Sequence, residues 1–177
     1  QRGPTVPRTT NKKSPKNSKS KPSSSARSAP LVPTPQFPLP TPHPSATRLE
    51  KDTMGEMEVP QDALYGASTQ RAVLNFPVSG RPVPARIIRA YATLKAACAT
   101  VNNRLDRLDD KRTKSIVEAC HEIADGLAPF GGLEKHFPID TFQTGSGTST
   151  NMNVNEVVAN LVCLRNHKPI GSSKDPA

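Results

Sequence analysis

From residue 85 onward the apolar positions recur with helical spacing. Ile87, Tyr91, Leu94, Cys98, Val101 and Leu105 follow one another at intervals of four, three, four, three and four, which predicts one apolar stripe with Arg89, Lys95 and Asn102 elsewhere on the helix surface. A second helix is predicted after Asp109 or Asp110 as N-cap, with its stripe at Ile116, Cys120, Ile123 and Leu127. The short connection makes the two an antiparallel hairpin. Pro129, Gly131 and Gly132 end it, and Phe137, Ile139 and Phe142 are expected to pack beneath the loop that follows. Val154, Val157, Val158, Leu161 and Val162 mark a third helix. Before residue 85 the period changes. Met54, Glu56 and Glu58 alternate with Met57 and Val59 around Gly55, which predicts a short edge strand or hairpin ending at Pro60. Residues 61–84 read as a short helix and a proline-punctuated loop. The fold class is mainly α, a helical domain with a short β-hairpin.

The third helix is preceded by the least ordinary stretch of the chain, TGSGTSTNMNVNEVVAN from Thr144 to Asn160. Glycines at 145 and 147 let the backbone approach a ligand or take positive φ, and hydroxyls follow at Thr148, Ser149 and Thr150. The first turn of a helix leaves amide N–H groups unpaired, and such a place stabilises a carboxylate or a phosphate. The same residue types also make an ordinary helix cap. No Gly-Lys-Ser/Thr phosphate loop and no strand–GxGxxG–helix fingerprint is present. Asn151, Asn153, Asn155, Glu156 and Asn160 fall on the same helix, and buried amides must find hydrogen bonds, so a site as well as a core is expected there.

Composition separates the amino-terminal region from the rest. Residues 1–49 hold eleven of the nineteen prolines and nine of the 24 Lys/Arg, with no Asp or Glu, so the net charge of +9 belongs to this stretch and the remaining residues carry 15 charges of each sign. Residues 1–47 have too few apolar side chains to offset the entropy of ordering them and are expected to be a disordered basic Pro/Ser-rich extension. Three readings stay open: an organelle transit peptide, a Pro-rich or nucleic-acid-binding ligand segment, and an inert extension. The folded region is expected to span 48–177.

The other candidates weaken. Cys98, Cys120 and Cys163 lie on or beside apolar stripes and read as core cysteines in a reducing compartment rather than a disulfide or metal set. His121-Glu122 opens a zincin-like HExxH, but Asp125 stands where the second histidine belongs, so no metal is expected. His121 reads as a helix-surface or interface histidine, and His136 and His167 as solvent-facing loop residues. No apolar run reaches the length of a membrane span.

The string TGSGTSTNMNVNEVVAN, together with DTMGEMEVP and YGASTQRAVLNFP, resembles the fumarase/aspartase superfamily, and within it the iron-independent class II fumarate hydratases. The likeness covers roughly residues 50–177. It implies the first, lyase domain of a longer protein, of which this sequence is expected to be an amino-terminal portion. It also implies a homotetramer whose active sites are each shared by three subunits, with a cytoplasmic location, or a mitochondrial one if the extension is a transit peptide. The implied reaction is reversible hydration of fumarate to L-malate without metal or organic cofactor, and without nucleic-acid or membrane partners. By position in the motif, Ser146, Gly147 and Thr148 are the implied substrate-carboxylate contacts, with Thr144 and Asn151 supporting the loop. The proton-moving groups of the family lie in later segments, so no catalytic acid or base is assigned here and these residues alone are expected to be inactive. Two alternatives are kept: an aspartate ammonia-lyase, whose motif more often reads GGAGTS, and a non-enzymatic helical interaction module.

Overall fold

The computed structural model describes residues 46–171; the expectation of a disordered extension falls on residues outside that range but for its last two. The described part is mainly α-helical. It opens with an antiparallel hairpin, β1 (Thr47–Asp52) and β2 (Gly55–Pro60), in the register Thr47↔Pro60 to Asp52↔Gly55. Helices α1 (Ala67–Asn75), α2 (Ala85–Arg104), α3 (Asp110–Asp125), the short α4 (Leu133–His136) and α5 (Thr148–Arg165) follow. The alternation in β2 is as the sequence implied: Glu56 and Glu58 are exposed, while Val59 is buried in the core.

Helix α3 starts where expected. Asp109 is its N-cap and its carboxylate accepts from the Arg112 amide at 2.8 Å, satisfying one of the donors that a helix start leaves open. Cys120, Ile123 and Leu127 are buried, and Ile116 is partly so. Truncating a side chain as enclosed as Ile123 to alanine costs about 3 kcal/mol in a core of this kind.

Helix α2 corrects the expected phase. Its buried residues are Ile88, Ala92, Ala96 and Ala99, whereas Ile87, Leu94, Val101 and Leu105 of the expected stripe are exposed, as is Cys98. The physical reason is close approach. α2 and α3 form the most extensive helix pair, and small side chains let their backbones pack together, so the alanine seam turns inward and the larger residues turn out. Two further expectations change. Phe142 is 62% exposed, leaving Phe137 and Ile139 as the buried pair below the glycine loop, and His136 is buried rather than solvent-facing.

Helix α5 is central, packing on α1, α3 and α2, with Val154, Val157, Leu161, Val162 and Cys163 buried. Its polar residues reach out to hold irregular backbone. The Asn160 amide donates to the Leu64 carbonyl at 2.8 Å and accepts from the Gly171 amide at 2.9 Å, and Asn153 donates to the His136 carbonyl at 2.9 Å. Glu156 accepts from the amides of Gly66, Ser68 and Thr69 at 2.9, 3.0 and 3.1 Å, and Glu50 accepts from that of Ala67 at 3.2 Å. The start of α1 is thus finished by two carboxylates from elsewhere in the chain. The segment entering it is held by Arg48, which donates to the carbonyls of Pro60, Gln61, Ala63 and Tyr65 at 2.6–3.1 Å and pairs with Glu50 at 2.6 Å.

Candidate functional site at the start of helix α5

The glycine loop is closed by a tight turn in which the Gly147 amide donates to the Thr144 carbonyl at 2.9 Å. Gly147 is the N-cap of α5 with φ +69°, the left-handed region in which a side chain is strained. Space does not forbid one, since an added Cβ would lie 3.6 Å from the Tyr91 hydroxyl. The lead-in is pinned by two polar groups. Gln143 accepts from the Thr150 amide at 3.0 Å and donates to the Thr150 hydroxyl at 2.7 Å. Asp140 accepts from the Ser79, Gly80 and Phe142 amides at 2.7–2.8 Å and from the Ser79 hydroxyl at 2.8 Å. Burial works to raise the Asp140 carboxyl, but these donors outweigh it and hold the group below the ordinary carboxylate value.

What this scaffold presents is a set of donors. The amides of Thr148 and Ser149 have no hydrogen-bond partner among the described residues, and Thr150 is the first whose amide is satisfied. Ser146 and Thr148 are exposed and their hydroxyls lie 2.7 Å apart, while Ser149 and Thr150 are buried. The structure therefore brings Ser146, Gly147 and Thr148 to one end of α5, with Thr144 closing the turn beneath them. Asn151 sits one turn further on. Its side-chain oxygen accepts from the Lys95 ammonium of α2 at 2.8 Å.

Lys95 is the residue that sequence reasoning put elsewhere on the surface. It is half-buried, and burial pushes its ammonium below the ordinary lysine value. Tyr91, one helical turn earlier, faces the same loop. The only signal in the sequence was the four-residue interval between them, which becomes informative once the phase of α2 is known. His136 was likewise missed. It accepts from the Leu64 amide at Nδ1 (3.1 Å), so Nε2 carries the proton and donates to the Phe130 carbonyl at 2.9 Å. Burial lowers its pKa, consistent with a neutral ring in that role. Among the described residues no group of three or more His, Cys, Asp or Glu could hold a metal ion, and no helix is long and apolar enough to cross a membrane.

A mainly helical scaffold with unpaired amides and hydroxyls at a glycine-started helix is suited to holding a carboxylate. A profile of the family described as Lyase matches residues 55–174, and the chain belongs to that family. It is 50% identical over 119 residues to "Fumarate hydratase class II 2" of Pseudomonas aeruginosa, covering 67% of this chain and 25% of that protein. It is 54% identical over 114 residues to "Fumarate hydratase class II" of Corynebacterium glutamicum, covering 64% and 23%. Among solved structures, a class II fumarase from Schistosoma mansoni superposes with a TM-score of 0.66 at 35% identity, covering 74% of this chain and 27% of that one. The fumarate lyase:delta crystallin from Brucella melitensis gives a TM-score of 0.64 at 43% identity, covering 71% and 29%. The chain spans about a quarter of the length of the curated relatives it matches.

Proposed function

We propose that the chain is part of a class II fumarate hydratase, the enzyme that reversibly adds water across fumarate to give L-malate, and that Ser146, Gly147 and Thr148 hold a carboxylate of the substrate. The observation that carries this reading is the open start of α5, where two exposed hydroxyls and two amides unpaired among the described residues converge, in a stretch of 119 residues that is 50% identical to a fumarate hydratase. The chemistry suits such donors. Removing a proton α to a carboxylate builds a second negative charge on it, and donors fixed in place beforehand stabilise that charge with little reorganisation. Thr144 and Asn151 support the loop. The groups that move the proton belong to other segments of the complete protein, which acts as a homotetramer. The exposed Ile87, Leu94 and Val101 on α2, with Leu105 at its C-cap, support assembly, because apolar side chains gathered along one helix call for a cover.

The test is steady-state kinetics on the full-length protein. Ser146→Ala and Thr148→Ala each remove one hydroxyl and leave the turn intact, and each is expected to lower fumarate hydration by roughly ten- to a thousandfold, the range for deleting one preorganised donor. A contact serving the charge that develops during reaction lowers kcat as well as kcat/KM. Near-wild-type turnover in both variants would overturn the site assignment, and turnover of aspartate in place of fumarate would overturn the choice of reaction.

A further inference from the structure

We propose that Lys95 is a positioning residue for the substrate, acting through Asn151, whose amide it orients as one more donor at the open end of α5. The proposal rests on the reading of this loop as a carboxylate site. An ammonium group has donors and no acceptor, so the group facing Lys95 must be the Asn151 oxygen, as the 2.8 Å bond has it. The amide nitrogen is then turned the other way. It has no partner among the described residues. Residues three apart share a face of a helix, and side chains lean toward its amino terminus, so the NH2 of Asn151 belongs to the surface over Thr148, beside the unpaired amides of Thr148 and Ser149. Without Lys95 the amide would be free to flip and present its oxygen to an anion.

Lys95 itself is half-buried and forms no ion pair among the described residues. A cation kept beside a helix start, where the backbone already carries partial positive charge, does not serve the helix, because that end favours negative groups. It does favour an anion held there. Lysine at this place is explained by a ligand and left unexplained by packing alone.

Four variants of the full-length protein test this, with Ser146→Ala as reference. Lys95→Met keeps the stem and removes the donors, and is expected to raise KM for fumarate about tenfold with kcat within about twofold, the signature of lost uniform binding. Asn151→Ala is expected to do the same. The double variant is expected to be no worse than Asn151→Ala within about twofold, since the two residues act as one unit. Asn151→Asp separates positioning from mere structure: it gives Lys95 an ion-pair partner, so thermal unfolding stays at or above that of the parent, yet it replaces a donor by a carboxylate that repels the substrate. Its kcat/KM is expected to fall at least as far as that of Asn151→Ala. Wild-type kcat/KM in Asn151→Asp, additive losses in the double variant, or a lowered unfolding temperature in Lys95→Met with unchanged KM would each overturn the proposal. If Ser146→Ala falls while the Lys95 and Asn151 variants do not, this inference alone fails; if Ser146→Ala is also unaffected, the reading of the loop fails with it.

Discussion

Helices α1 and α5 both begin at a glycine without a side-chain cap, and they are finished in opposite ways. At α1 four successive amides, Gly66 to Thr69, are taken up by the carboxylates of Glu156 and Glu50. At α5 Gln143 takes one amide, Thr148 and Ser149 keep theirs, and the nearby charge is the cation of Lys95. The first arrangement shows, within the same molecule, what a helix start does with a carboxylate when one is built in. In the second the same backbone chemistry is turned outward, with hydroxyls added. One end is structural because its ligand is part of the chain; the other is a candidate site because Ser146 and Thr148, with their hydroxyls, are exposed.

The largest expected effect is at the closed end. Glu156→Ala removes an acceptor shared by three amides and is expected to cost about 3 kcal/mol of stability, from the worth of charge-assisted hydrogen bonds and the cost of leaving donors unmet. A urea titration reads it; an unchanged midpoint would mean that α1 does not depend on its internal carboxylate, and the comparison would break. Substituting the two N-cap glycines sharpens the contrast. Gly66 has an ordinary negative φ of −117°, but an added Cβ would lie 2.6 Å from a Glu50 carboxylate oxygen and 3.1 Å from Glu156, so Gly66→Ala acts by crowding. A loss of about 2 kcal/mol is expected. Gly147→Ala meets room but a left-handed backbone, and about 1 kcal/mol is expected. Equal losses would point to a single cause at both ends.

The smallest effect lies between the two helices. His136 accepts from the Leu64 amide in the lead-in to α1, and its carbonyl is held by Asn153 of α5. Its folded pKa lies below the ordinary value of 6.5, so the unfolded chain binds the proton first as pH falls. The stabilisation is complete above pH 6.5 and declines below it until the lowered folded value is passed. Between pH 7.5 and 6.0 the loss is expected to stay under about 0.8 kcal/mol, the limit for one such group. Paired urea titrations check this, with His136→Gln expected to lose the slope. Asp52, Asp62 and Asp140, whose pKa values are lowered below 3.8, titrate well outside that window. Stability that rises on acidification toward pH 6.0 would exclude a neutral His136.

Where large apolar side chains carry the period, the fold was legible in the sequence: β2, α3 and α5 lie where their patterns put them. α2 misled because its seam is made of alanines, which bury little area and leave no strong mark, while its larger residues face outward. The loop at 144–148 was legible because glycines and hydroxyls cluster there. Lys95 and His136 were not, since a single polar residue reveals its role only through partners 56 and 72 positions away. Glu156 was visible only as an oddly polar residue on an apolar helix.

Arg48 has a consequence for which substitutions the chain tolerates. Its guanidinium grips the carbonyls of Pro60, Gln61, Ala63 and Tyr65, and a carbonyl is the same whatever side chain stands beside it. On the carbonyl side the path into α1 is therefore held largely by one residue on a neighbouring strand, with His136 and Asn160 holding the buried Leu64 between those carbonyls. An exposed position such as Gln61 is free to drift without moving the helix that follows, whereas its neighbour Asp62 is tied to Lys135 by an ion pair of 2.5 Å. Position 48 has no such latitude: lysine would keep the charge and lose the fork that reaches several acceptors at once.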